Sequence, residues 1–136
     1  MEKKIIAHHL IAEFYDSINL ENINSIKVQM ITASKIANCK ILDSYFHQFG
    51  KTNGVTGMVL LKESHISIHT WPEYSYAAID IFVCGNTFPD KAIEHLQEFF
   101  RPKKVNIKNL KRGIWSFLKR NIMIPIKDDN PQINIP

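Results

Sequence analysis

Apolar and polar positions follow two different rhythms along this chain, and each change of rhythm marks a new element. Residues 5–14 carry apolar side chains on both alternating sets, the pattern of a strand partly buried on both faces. Ile23, Ile26, Met30, Ala33 and Ala37 then recur three and four apart, which predicts a helix whose single apolar stripe lies on a sheet. Residues 40–49 predict a further strand, and Gly50-Lys51-Thr52-Asn53-Gly54 a loop, because two glycines and an asparagine suit turns with positive φ. Three runs rich in β-branched and aromatic residues follow at 55–62, 65–71 and 76–84, joined so tightly that they must be antiparallel neighbours. Thr87 as cap and Pro89 in the first turn predict a second helix, with Ile93, Leu96 and Phe100 as its buried stripe and Arg101-Pro102 as its end. A last strand is expected at 105–110. Beyond Gly113 the prolines at 125, 131 and 136 predict an irregular tail.

Two helices and several mainly antiparallel strands imply an α+β fold: a single-domain, two-layer α/β sandwich with both helices on one face of the sheet. The opposite face is then the informative one. Strand side chains alternate, so Ile66, Ile68 and Thr70 share one side while His65, Ser67, His69 and Trp71 share the other. In the following strand Ala77, Ile79, Ile81 and Val83 are apolar, leaving Tyr76, Ala78, Asp80, Phe82 and Cys84 opposite. A turn at Trp71–Ser75 that pairs His69 with Ala78 sets Cys84 against Glu63, and the expectation is that Glu63, Ser64, His69 and Cys84 gather near one end of the sheet. The connection at Glu63-Ser64 is itself unusual, since a tight hairpin favours Gly, Asn or Asp at its centre.

Composition narrows the classes. The 136 residues are 45% hydrophobic and 22% charged, ordinary for a globular domain, and no apolar run approaches the ~18 residues that span a bilayer. The charged start of the chain turns at once into strand pattern, so no secretory leader is expected and a cytoplasmic setting is the default. Cys39 and Cys84 are too far apart to form a C-x-x-C site. The net charge of +4 has a cluster late in the chain: Arg101, Lys103, Lys104, Lys108, Lys111, Arg112, Lys119 and Arg120. A solvated basic face explains it more simply than nucleic-acid binding. Taken singly, the chemical candidates have plain readings too: Ser64 as a turn residue, Cys39 and Cys84 as small buried apolar groups, Trp71 and Phe49 as core. His65 and His69 lie about 13 Å apart on one strand, too far for one metal ion with bonds of about 2 Å, so no metal is expected.

One contiguous run changes this weighting. Residues 54–73, Gly-Val-Thr-Gly-Met-Val-Leu-Leu-Lys-Glu-Ser-His-Ile-Ser-Ile-His-Thr-Trp-Pro-Glu, resemble the signature of the prokaryotic pyruvoyl-dependent S-adenosylmethionine decarboxylases, and residues 76–85, Tyr-Ala-Ala-Ile-Asp-Ile-Phe-Val-Cys-Gly, extend the match. Ala12-Glu13-Phe14-Tyr15-Asp16, Phe46-His47-Gln48-Phe49 and Lys111-Arg112-Gly113 also fit, so that the likeness covers residues 5–113.

The resemblance implies that the chain cuts itself between Glu63 and Ser64, giving a β chain of residues 1–63 and an α chain of 64–136 whose Ser64 becomes a pyruvoyl group. It assigns His69 to processing with help from the hydroxyl at Thr56, where relatives often carry serine. It assigns Cys84 to protonating the substrate carbon, Glu73 to the ribose hydroxyls and Phe49 to stacking on adenine, with Trp71 a second π face for the sulfonium. The pyruvoyl carbonyls would accept the electrons left as CO2 departs. S-adenosylmethionine is the implied substrate, aminopropyl supply for spermidine and other polyamines the implied purpose, and a homodimer of cleaved αβ pairs the implied assembly, without nucleic acid or membrane. Ser75 stands where glycine is usual and Val83 where threonine is frequent, and the loop after Phe49 is one residue longer than usual. A pyruvoyl-dependent arginine or ornithine decarboxylase, and a binding homologue that does not process itself, therefore stay open.

Overall fold

A computed structural model describes residues 3–118 and 122–125. Strands β1 (Lys3–Tyr15), β2 (Ile41–Gln48), β3 (Val55–Leu61), β4 (Ser64–Trp71), β5 (Tyr76–Cys84), β6 (Lys104–Leu118) and β7 (Ile122–Pro125) form one sheet in the order β2-β3-β4-β5-β1-β6-β7. All neighbours are antiparallel. Helices α1 (Ile23–Ile36) and α2 (Pro89–Phe100) pack on each other, α1 against β2 and β3 and α2 against β1, and make the second layer of the expected α+β sandwich. A single 3-10 turn, Pro72–Tyr74, joins β4 to β5.

The α1 stripe buries Ile26, Met30 and Ala33, with Ala37 just past its end, and Asn22 caps its start by accepting the Ser25 N–H at 3.0 Å. In α2, Ala92, Ile93, Leu96 and Phe100 are buried. They meet Leu10, Ala12 and Phe14 of β1, Ile66 and Ile68 of β4, and Ile79, Ile81 and Val83 of β5 in one core. Each large aliphatic or aromatic side chain removed from water there contributes about 1.5–3 kcal/mol. Gly57 is required because Phe46 of the paired strand lies across it, 2.1 Å from where a Cβ would stand.

Two expectations need correction. The chain beyond Gly113 is not irregular where described: β6 continues to Leu118 and β7 pairs back on it, with Pro125 as the last residue of the outer edge strand, a position where proline is tolerated. Thr87 does not cap α2; Phe88 holds that position without a side-chain bond, Pro89 opens the helix, and the Thr87 hydroxyl donates to the Cys84 carbonyl at 3.4 Å. Of the late basic cluster, Lys119 and Arg120 lie outside the described residues, as do Pro131 and Pro136. The rest of that cluster is exposed.

Candidate active site

Strand β3 ends at Leu61, which pairs with Ser64, the first residue of β4, so the centre of the hairpin is Lys62-Glu63 rather than Glu63-Ser64. Neither central residue has positive φ. The strain falls on Ser64 instead, at φ 135°, a region that side-chain-bearing residues rarely enter and that costs on the order of 1–3 kcal/mol. A glycine would take this position most cheaply.

The expected register holds: His69 pairs with Ala78, and Ser64 with Val83. As a result Cys84, at the end of β5, comes beside the turn and donates its backbone N–H to the Glu63 carbonyl at 3.0 Å. The Lys62 N–H donates to the Lys40 carbonyl at 2.9 Å. Cys84 is partly buried and, with Ile5, His8 and Gly85, lines a cavity of about 490 Å³. Cys39 is the buried apolar-type thiol that its sequence suggests. Burial first, and then the Glu63 carboxylate and Cys84, push it up to about 11 and keep it protonated.

His69 is not part of this cluster, contrary to expectation. It lies five residues along β4 from Ser64, roughly 17 Å at the strand rise, because β4 runs directly away from the turn while β5 returns to it. It pairs with Thr56 on β3, and their side chains are bonded, Oγ1 to Nδ1, at 3.1 Å. The other proposed groups join this second cluster: Phe49, Thr56, His69, Trp71 and Glu73 line one cavity of about 280 Å³ together with Thr52. Phe49 and Trp71 are 48% and 37% exposed, so neither is core, and both line the open cavity. The His47 ring meets Phe49 edge-on at 4.9 Å, and Trp71 stacks on Tyr76 at 5.3 Å, which in turn stacks on Tyr15 at 5.4 Å. Beneath them the buried Thr70 hydroxyl accepts the Val55 N–H and donates to the Leu20 carbonyl, each at 2.8 Å, tying the cavity floor to the β1–α1 loop.

Sequence reasoning missed Thr52. Its hydroxyl oxygen accepts the Gly54 N–H at 3.3 Å, and the only sequence signal was a hydroxyl in a glycine-rich loop directly after an aromatic residue. Also missed were the polar groups midway along the open face, where Tyr76 donates to Glu13 and His9 meets Asp80 at 3.3 Å. Burial pushes the Tyr76 hydroxyl well above its usual range, reinforced by Glu13, and burial likewise lowers His65, with His9 adding to it.

Across residues 8–113 the sequence matches the family model described as S-adenosylmethionine decarboxylase. The chain is 42% identical over 131 residues to the S-adenosylmethionine decarboxylase proenzyme of Thermotoga petrophila, covering 94% of this chain and 95% of that protein. It is 40% identical over 111 residues to the proenzyme of the same name from Acidithiobacillus ferrooxidans, covering 79% and 83%. Its fold matches the crystal structure of the adenosylmethionine decarboxylase from Aquifex aeolicus with a TM-score of 0.73 at 30% identity, over 96% of this chain and 99% of that one. A strained serine at the start of β4 and an aromatic, carboxylate-bearing cavity at its far end thus sit on a chain that belongs to the S-adenosylmethionine decarboxylase family.

Proposed function

We propose that this chain is a proenzyme that cuts itself between Glu63 and Ser64 and then decarboxylates S-adenosylmethionine, supplying aminopropyl groups for polyamine synthesis. The observation that carries the reading is the turn itself: Ser64 held at φ 135° directly after a Glu63 carbonyl that already accepts the Cys84 N–H. That N–H polarises the carbonyl and can stabilise the oxyanion formed on attack. The Ser64 Oγ adds to the Glu63 carbonyl carbon, the C–N bond breaks, and the hydroxyl proton ends on the freed Ser64 nitrogen, leaving an ester. Loss of the Ser64 α-proton then expels the main-chain carboxylate of Glu63, the new C-terminus, from the Ser64 Cβ. Water replaces the nitrogen, released as ammonia, to leave a pyruvoyl group at residue 64. When formed, that group supplies the electron sink for decarboxylation. Cys84, whose backbone N–H already meets the Glu63 carbonyl beside the same turn, is the group positioned to protonate the substrate carbon.

His69 and Thr56 cannot reach Ser64 of their own chain across roughly 17 Å. The reading therefore requires a homodimer in which the open sheet faces pack about a two-fold axis, each copy setting its His69 cluster over the other's turn. Exposed apolar side chains on that face, Tyr45, Met58 and Leu60, support such packing. Both thiols are free, which suits a reducing cytoplasm, and among the described residues no helix is long and apolar enough to cross a membrane.

The cavity favours S-adenosylmethionine over arginine or ornithine. Phe49 and Trp71 offer π surface for adenine and sulfonium, the latter contact contributing about 0.5–2 kcal/mol, and the exposed Glu73 carboxylate can accept both ribose hydroxyls. Intact mass of the purified protein is the test. It should show a 63-residue and a 73-residue chain (136 minus 63), the larger-numbered segment with a blocked, borohydride-sensitive N-terminus. Labelled CO2 should be released from S-adenosylmethionine far faster than from arginine or ornithine, and Glu73→Gln should raise KM. Recovery of only the uncut chain overturns the self-cleavage; faster release from either amino acid overturns the substrate.

A further inference from the structure

The turn that carries the scissile bond departs from an ordinary ladder at one place. In a hydrogen-bonded antiparallel pair the two residues exchange both N–H···O bonds. Ile41 pairs with Leu61, so Lys40 stands opposite Lys62 at a hydrogen-bonding position, and half of the exchange is present: Lys62 N–H donates to the Lys40 carbonyl at 2.9 Å. The other half is diverted. Lys40 N–H donates to the Glu63 side chain, 3.1 and 3.2 Å from its two carboxylate oxygens. Glu63 is thus bonded on both sides, by its carboxylate to the strand before β3 and by its main-chain carbonyl to the Cys84 N–H at 3.0 Å on the strand after β4. These bonds set the rotation of the Glu63 peptide, and it is this peptide that Ser64, at φ 135°, must attack.

We propose that the Glu63 side-chain carboxylate is a positioning residue for self-cleavage: by replacing the Lys62 carbonyl as acceptor of the Lys40 N–H, it turns the scissile carbonyl onto the Cys84 N–H and holds Ser64 in its strained conformation. The proposal builds on the self-cleavage reading and adds to it a role for a group that the chemistry itself never consumes. What the site needs from residue 63 is an acceptor oxygen at the reach of a glutamate, and charge is secondary. Glutamine meets that requirement and alanine does not. After cleavage the same bond keeps the new C-terminus of the β chain beside Lys40.

The test follows cleavage of full-length protein by intact mass over time in wild type, Glu63→Gln and Glu63→Ala. Glu63→Ala should slow cleavage about tenfold, the size expected when one hydrogen bond that orients the reacting groups is lost. Glu63→Gln should stay within about threefold of wild type, since its amide oxygen can accept the same N–H. In the uncuttable Ser64→Ala background, exchange of the Lys40 amide hydrogen should be slow with Glu or Gln at 63 and fast with Ala, while Tm shifts by no more than about 3 °C. Equal cleavage rates in Glu63→Ala and wild type overturn the proposal. So does glutamine as slow as alanine, or a large Tm loss that makes the effect one of general stability. If wild type itself stays uncut, the underlying reading fails and this one with it.

Discussion

Ser64 breaks a local rule that most of the chain obeys. Asp16, Asn19, Asn38, Asn53, Ser75 and Arg101 also have positive φ, but all lie between 46° and 62°, where the left-handed helical well gives a side chain a place to sit. Ser64 at 135° has no such well. Under the proposed self-cleavage a serine is needed there, since only a β-oxygen can both attack the preceding carbonyl and leave again, and the local strain is the cost of placing that hydroxyl. Two uncuttable variants isolate this cost. Ser64→Ala keeps a Cβ in the strained conformation and Ser64→Gly removes it, so Ser64→Gly should be the more stable by about 1–2 kcal/mol in urea unfolding, although glycine ordinarily weakens a strand. The opposite order would mean that the turn is not strained. The Glu63–Ser64 junction was conspicuous in the sequence as a poor hairpin centre, and Ser64 is the strained residue, but the sequence pattern placed the centre of the turn one residue late, because it could not show that Leu61 pairs with Ser64.

Among the elements, strands β3, β4 and β5 were the most legible, since a period of two with short connections leaves little choice of register. Helix α1 was nearly as clear from its stripe. Element ends were less so: Thr87 has a good capping side chain, yet the position one residue later is the cap because Pro89 suits the first helical position. The 3-10 turn Pro72–Tyr74 matters most for the cavity, because it carries Glu73 and directly follows Trp71. Its last bond is Ser75 N–H to the Pro72 carbonyl at 3.0 Å; Ser75 itself lies in the left-handed region at φ 50°, which turns the chain into β5 and aims the Ser75 carbonyl at the Ser17 N–H, 2.8 Å away. Glycine adopts this conformation without a Cβ clash. Ser75→Gly should therefore leave the cavity intact and raise stability by about 0.5–1 kcal/mol, or Tm by about 2–4 °C in thermal melts. A lowered Tm would show that the serine side chain contributes something beyond backbone geometry.

For the molecule as a whole, the division of the open face into two clusters has a direct consequence. If His69 serves the Ser64 of a second copy, two inactive chains can restore each other. His69→Ala alone should stay uncut, and Ser64→Ala alone has nothing to cut. Co-expressed, they should form mixed dimers in which the His69→Ala chain is cleaved by the intact His69 of its Ser64→Ala partner, up to the share of mixed dimers present, about half for random pairing. Intact mass distinguishes the two chains. No cleavage in the mixture would place His69 in service of its own chain's turn and contradict the two-copy arrangement.

The element types up to Gly113, the apolar face of the sheet, the family motif from 54 to 73 and the identity of the chemical groups were decided by the sequence, because side-chain alternation and helical periodicity are properties of neighbours along the chain. The distances between those groups were decided by the tertiary structure. Cys84 and Glu63 are 21 positions apart in sequence, yet they share a hydrogen bond because an antiparallel strand returns to its starting level. His69 and Ser64 are separated by five positions and cannot meet within one chain, because an extended strand carries them about 3.3 Å further apart with each residue. Nearness along a strand is thus distance in space, and only the pairing of strands, fixed by burial of the whole apolar face, brings the reactive groups together.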